Sequence, residues 1–431
     1  MWRRGFWLGW LIGLGLLLKM AWFAPPALAF TDDQKLFLQA WRIVNQSYLD
    51  VSFNHQNWWR LRQQYLRQPF ADRQAAYAAI DELLSRLDDP FTRLLRPEEY
   101  RSLQVSTAGE LSGIGVQIDL EPRSHQIRVI APIAGSPAEA AGLQPGDIIV
   151  AIDGQQTQSF SLDEAAQRLR GYPGTSVTLT LRRGEPGSAQ MVERIVELVR
   201  DRIALDPVIT RLDTESTALP IGYLRLTQFS ANATQSVAQG FQSLQQAGAA
   251  AYVLDLRNNP GGLLQAGIEI ADLLLDDQAI VYTVNRQGVL DSVVAQHTAV
   301  LRAPLVVLVN QGTASASEIL AGALQDNGRA KLVGEQTFGK GLIQSLFELP
   351  DDSGLAVTVA KYETPNHHDI HRLGITPDLQ VSLEQPLTVS AVATAQDAQY
   401  QAAIALFSTE AEELTEAIAP GSEQHAIADA A

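Results

Sequence analysis

The chain reads as an α/β protein built in several parts, and three observations carry that reading. Between residues 221 and 324, strand-length apolar runs alternate with helix-length amphipathic ones. Residues 105–190 hold a series of short strand signals with two short helical segments between them. Ahead of both, apolar residues recur at helical spacing.

The first 29 residues read as an export signal. Arg3 and Arg4 precede an apolar stretch from Phe6 to Leu18, and Ala27-Leu28-Ala29 is a small-residue cleavage site. Lys19 interrupts the apolar run and argues against a stable membrane span. Cleaved, or kept as an anchor that leaves the protein membrane-associated, this segment places the bulk of the chain outside the cytoplasm. The chain has no cysteine, which excludes disulfides, a thiol nucleophile and cysteine-bound zinc. Its formal net charge of −16 becomes −19 once Arg3, Arg4 and Lys19 leave with residues 1–29, which carry no acid. So acidic a chain disfavours nucleic acid and anionic lipid as partners.

From Thr31 onward Phe37, Trp41, Val44 and Tyr48 share one helical face, with Thr31, Asp32 and Asp33 as start signals. A second helix is expected between Ala71 and Leu87, ended by Asp88-Asp89-Pro90, and Pro97-Glu98-Glu99-Tyr100 opens another helical turn. Trp58 and Trp59 are expected in a core or an interface. Together these make residues 30–104 a small amino-terminal helical domain.

In residues 105–190 the strand signals are Gly115 to Ile118, Ile127 to Ile130, Asp147 to Ile152 and Ser176 to Leu181; Ser136 to Leu143 and Leu162 to Leu169 are the helices. With Gly113-Ile114-Gly115-Val116 before one strand and Leu143-Gln144-Pro145-Gly146-Asp147 before another, this order resembles a PDZ domain. The resemblance implies that a peptide adds as a strand beside Val116 to Ile118. Its terminal carboxylate would be captured by the N–H groups of the Leu111 to Gly115 loop, making Gly113, Ile114, Gly115 and Val116 the tail-binding residues. The plainer alternative is a β-domain used only for packing. Arg170 is a candidate contact between this domain and the active site.

A strand from Ile221 to Leu226, a helix from Ala233 to Gln246, a strand from Ala250 to Arg257 and a helix from Leu263 to Leu275 follow. Asn258-Asn259-Pro260-Gly261-Gly262 makes the turn, and glycine leaves its N–H unshielded, as an oxyanion donor requires; a plain turn uses glycine too. Pattern alone does not separate such a core from a doubly wound sheet.

Asn310-Gln311-Gly312-Thr313-Ala314-Ser315-Ala316-Ser317-Glu318 closes the apolar run Ala303 to Val309 and opens an apolar helix. Phe338-Gly339-Lys340-Gly341 follows. A serine is a poor nucleophile until a neighbour takes its proton, and a lysine does so only when desolvation makes it neutral near working pH. Ser315 at a strand-to-helix turn has outward N–H groups beside it, Lys340 has glycines on both sides and Leu342 and Ile343 beyond, and Gln344 is placed to orient the amine. On these residues alone, Ser315 as a helix N-cap with an ordinary surface lysine fits equally well, and Ser317 is a rival nucleophile.

The longer run decides. Gly312 to Glu318, Val333-Gly334-Glu335, Thr337-Phe338-Gly339-Lys340-Gly341 and Gln344 resemble the carboxyl-terminal processing peptidases, or tail-specific proteases. The resemblance implies Ser315 as nucleophile, Lys340 as general base, Gln344 as its orienter, and the N–H groups of Ala316 and Gly261 as the oxyanion hole. It also implies a crotonase-like β/α protease core, here residues 191–385, beside the PDZ-like domain and the helical domain. The motifs are similar to the photosynthetic branch, which trims a photosystem II reaction-centre subunit precursor in the thylakoid lumen.

Asn366-His367-His368-Asp369-Ile370-His371 invites a metal reading, which we reject because adjacent His367 and His368 diverge in any extended segment; no metal and no cofactor is expected. From Leu387 onward the chain carries seven acids and no Lys or Arg, so residues 386–431 read as an acidic, Ala-rich helix and tail. The expected function is a serine endopeptidase with a Ser/Lys dyad, located in the thylakoid lumen or periplasm, that recognises the carboxyl-terminal tail of exported proteins, membrane-associated ones included, and cuts nearby. The alternative is a catalytically silent PDZ receptor for protein tails, which the presence of Ser315, Lys340, Gln344 and Gly261 together disfavours. An acyl-CoA enzyme on the same core is disfavoured by the export signal.

Overall fold

In this computed structural model, the structure describes residues 30–407 apart from 122–123, 134, 185–190, 289, 384, 386 and 389. The export segment at 1–29 and the acids from Glu410 to Asp429 lie outside the described residues. Two compact units form: one runs to Arg96 and takes in Ser345–Val357, the other holds Pro97–Gln344 and the chain from Thr358.

In the first unit, helix Asp32–Ser47 starts on Thr31, whose hydroxyl accepts the Gln34 N–H at 3.2 Å while Gln34 Oε1 accepts the Thr31 N–H at 3.0 Å. Its buried stripe of Leu36, Phe37, Ala40, Trp41 and Val44 packs against helix Arg73–Ser85. Helix Trp58–Tyr65 treats its two tryptophans differently: Trp58 is buried, whereas Trp59 is 58% exposed. Strand Arg93–Leu95 pairs antiparallel with Gly354–Ala356, and Arg73 bridges Asp33 at 2.6 Å and Asp351.

Helix Pro97–Thr107, which the sequence assigned to the helical domain, lies in the second unit. The cause is local: the Ala231 N–H donates to the Thr107 carbonyl at 2.9 Å, and Glu110–Gly113 pairs with Asp201–Ala204. The PDZ-like sheet runs Val116–Leu120, Ile127–Pro132, Ile148–Ile152, Ser176–Gly184, Met191–Val199, antiparallel throughout. Its last strand lies beyond residue 190 and pairs along its whole length with Ser176–Gly184. At the other end Val116–Leu120 is an edge strand, next to helix Leu162–Leu169.

The core of the second unit is a six-stranded sheet in the order Val208–Asp213, Ile221–Leu226, Ala251–Asp255, Leu305–Val309, Lys331–Gly334, Leu379–Gln380; the first pair is antiparallel and the rest parallel. Side chains alternate across a strand, so the continuous apolar runs bury two faces. Leu224, Leu254, Val307 and Val309 face the helices Ala233–Gln246, Leu264–Asp272 and Ala316–Asp326. On the opposite face Tyr223, Val253, Val306 and Leu308 meet Tyr400, Ala403, Ile404 and Phe407 of a helix covering 398–407.

A buried charge layer fastens that helix. The Arg257 guanidinium donates to Asp255 at 2.7 Å, to Asp397 at 2.8 Å and to Gln399 at 2.9 Å, and the Tyr223 hydroxyl donates to Asp255 at 2.7 Å. Burial alone would push the Asp397 carboxyl up, but the hydrogen bonds and charge of Arg257 outweigh it and hold it below the ordinary carboxylate value. A depressed folded value stabilises the fold above the ordinary carboxylate range and is lost as pH falls through the lowered one. The thermal midpoint is therefore expected to drop as pH falls below the ordinary carboxylate range, and Asp397→Asn to flatten that drop.

Candidate active site

The turn that carries Ser315 is assembled from the ends of two adjacent parallel strands. After Leu305–Val309, the Thr313 hydroxyl donates to the Leu256 carbonyl at 2.8 Å and the Ala314 N–H to the Asn259 carbonyl at 3.0 Å. This locks the segment against the turn that follows Ala251–Asp255. Ser315 then takes φ 59°, ψ −118° before helix Ala316–Asp326 begins. It stands at the N-cap position, yet an ordinary N-cap is extended. A non-glycine residue at such a φ costs on the order of 1–3 kcal/mol and persists only where the surroundings impose it.

Glu318 is one source of that constraint. Its side chain is fully buried, and its two oxygens accept four hydrogen bonds: Oε1 from the Thr337 hydroxyl at 2.6 Å and the Gly339 N–H at 2.7 Å, Oε2 from the N–H groups of Ser315 and Lys340, each at 2.9 Å. One carboxyl oxygen thus ties the backbones of Ser315 and Lys340 together. The rival serine has a different fate: Ser317 is fully buried and its hydroxyl donates to the Asn259 carbonyl at 2.9 Å.

The glycines beside Lys340 serve close backbone packing. A Cβ on Gly339 would sit 2.9 Å from the Gly374 nitrogen, and one on Gly341 2.7 Å from the His371 nitrogen. Lys340 itself is half-buried. Gln344 lies on strand Leu342–Glu348 and donates to the Thr358 hydroxyl at 3.4 Å.

Gly261 has φ 94°, and a Cβ there would lie 2.7 Å from the Ala314 carbonyl and 2.9 Å from Ser315 Cβ. Its N–H donates to Asn259 Oδ1 at 3.0 Å, while the Asn259 side-chain amide donates to the Leu226 carbonyl at 2.8 Å. Ala316 opens its helix, so its N–H is among those a helix cannot satisfy internally. Gly261→Ala is expected to lower stability by about 1–3 kcal/mol and to slow labelling of Ser315 by a serine-reactive phosphonate; thermal melts and labelling kinetics check it.

At the end of strand Glu110–Gly113, the Gly113 backbone bridges to Arg170, which is exposed at the end of helix Leu162–Leu169. Ile114 is buried in this domain's core, and Gly115, at φ 72°, packs on Ser136. Val116 begins the edge strand. The histidine loop spreads its side chains among separate partners: the His367 ring stacks on Tyr282 with centroids 4.3 Å apart, and Asp369 accepts from Lys361 at 3.2 Å.

Glu318 and Asn259 escaped sequence reasoning. Glu318 stands three residues after Ser315, which reads as a helix-start pattern, and nothing in its neighbourhood signals Lys340.

The pattern of peptidase family S41 matches residues 220–381, and that of the PDZ domain residues 128–183. The chain is 58% identical over 405 residues to a carboxyl-terminal-processing protease of Synechocystis sp., spanning 94% of this chain and 93% of that protein. It is 44% identical to the chloroplastic carboxyl-terminal-processing peptidase 2 of Arabidopsis thaliana, over 82% of this chain and 70% of that one. Among solved structures, a photosystem II D1 C-terminal processing protease matches with a TM-score of 0.55 and 40% identity, over 86% of this chain and all of that one. The chain belongs to peptidase family S41. Within it, it is a serine peptidase of the carboxyl-terminal-processing kind, with the protease fold, PDZ domain and amino-terminal helices the sequence led us to expect.

Proposed function

We propose that Ser315 and Lys340 form the catalytic dyad. Ser315 Oγ bonds to the scissile carbonyl carbon while its proton passes to Lys340 Nζ. As the peptide C–N bond breaks, Lys340 returns the proton to the leaving amine, and water then hydrolyses the acyl-enzyme. Gln344 orients the lysine amine. The oxyanion is held by the Ala316 N–H and by the Gly261 N–H, which exchanges its bond to Asn259 Oδ1 for one to the substrate oxygen. The observation that carries this reading is the Glu318 oxygen shared by Ser315 and Lys340 at 2.9 Å each.

The free edge of Val116–Leu120 accepts the substrate's tail as an added strand, with Gly113, Ile114 and Gly115 at the carboxylate end. The substrates are exported proteins cut near their carboxyl termini. The chloroplastic and cyanobacterial relatives support the thylakoid lumen or periplasm as the location, and a D1-type precursor as the first substrate to try.

The test is the intact mass of a protein with an apolar carboxyl-terminal tail after incubation with the mature chain. Tail loss that survives a chelator and fades as pH falls is the expected result. Cleavage that a chelator stops, or that persists unchanged well below neutral pH, argues for other chemistry.

A further inference from the structure

Strand Gly354–Glu363 alternates its side chains, and Thr358, Ala360 and Tyr362 fall on its buried side. Tyr362 is 1% exposed within the main core, and its hydroxyl reaches the Lys340 carbonyl at 2.6 Å and the Ser315 carbonyl at 3.0 Å. A phenol has one proton, so the two carbonyls share it in a three-centre bond. Burial, with Glu318 nearby, pushes this phenol well above its ordinary value, and it stays a donor wherever the enzyme works. Four residues earlier on the same face, the Thr358 hydroxyl accepts from Gln344 at 3.4 Å.

We infer that this strand face is a template that sets the spacing of Ser315, Lys340 and Gln344, with Tyr362 and Thr358 as positioning residues. It rests on the dyad proposed above. Glu318 fixes the two backbones through their N–H groups, and Tyr362 fixes them through their carbonyls, so each of the two residues is held at both of its flanking peptides. Tyr362 and Thr358 are both buried, so their loss is expected to act on the chemical step and not on binding.

Cleavage by the full mature chain, and its absence in Ser315→Ala, tests the dyad first and independently. Tyr362→Phe, which removes only the shared donor, is then expected to lower kcat about tenfold or more at nearly unchanged KM and thermal midpoint. The acid limb of its pH profile should move, because Lys340 no longer sits at the same distance from Ser315. Thr358→Val, which leaves Tyr362 intact, should lower kcat and shift the acid limb without moving KM. Parent-like kcat and pH profile in a folded Tyr362→Phe overturn the template, as does a fall in kcat, affinity and melting point together. If Tyr362→Phe does not fold, parent-like kinetics of Thr358→Val overturn it.

Discussion

Ser315→Ala is expected to abolish tail cleavage, by about four orders of magnitude or more, with the fold intact. Without the hydroxyl no acyl-enzyme forms, and what remains is binding alone. The turn should survive because these hydrogen bonds run through the backbone of residue 315: its N–H donates to Glu318 and its carbonyl accepts from Tyr362. Alanine keeps both, and it meets the same strain at φ 59°. The thermal midpoint should thus correspond to a change within about 1 kcal/mol. Intact-mass cleavage and a melt on the same sample check this. Cleavage at the parent rate would remove Ser315 from the mechanism, and Ser317 is an unsuitable replacement because it is buried with its hydroxyl on Asn259.

Arg257→Leu is expected to have the largest effect on stability, a loss of about 3–5 kcal/mol. The guanidinium is enclosed by Asp255 and Asp397, both about as buried as it is, so its removal strands two carboxylates in the protein interior. Burying an unpaired charge costs far more than forming the pair gains. Urea unfolding midpoints of the parent and the variant measure the loss. Adding Asp255→Asn and Asp397→Asn to the leucine variant should recover part of it, because the stranded charges are then gone. A single variant as stable as the parent would mean that the layer is well hydrated.

Much of the fold was legible because the signals are local. The helix start at Thr31, the helix Leu162–Leu169, the strand Ile221–Leu226 and the turn at Gly261 each follow from a few neighbouring residues. The positions of Ser315 and Lys340 were legible as a motif. What holds those two in place was not: Glu318 meets Lys340 across 22 residues of chain, and Tyr362 meets Ser315 across 47. Such contacts leave no periodic trace. Spacing could not choose between Ser315 and Ser317 either, since both precede the same helix; burial separates them. The strand Met191–Val199 was missed because its place is set by pairing with Ser176–Gly184 and not by its own boundary signals.

The partner that completes Arg257's charge layer, Asp397, arrives 140 residues later in the chain. A ribosome that has already delivered the serine and the lysine has therefore not yet delivered a finished protein. Until residues 398–407 emerge, one whole face of the central sheet, including Tyr223, Val253 and Leu308, has nothing from that helix to cover it. A prematurely terminated product carries every proposed catalytic residue and still presents that apolar face and a guanidinium with half its carboxylates.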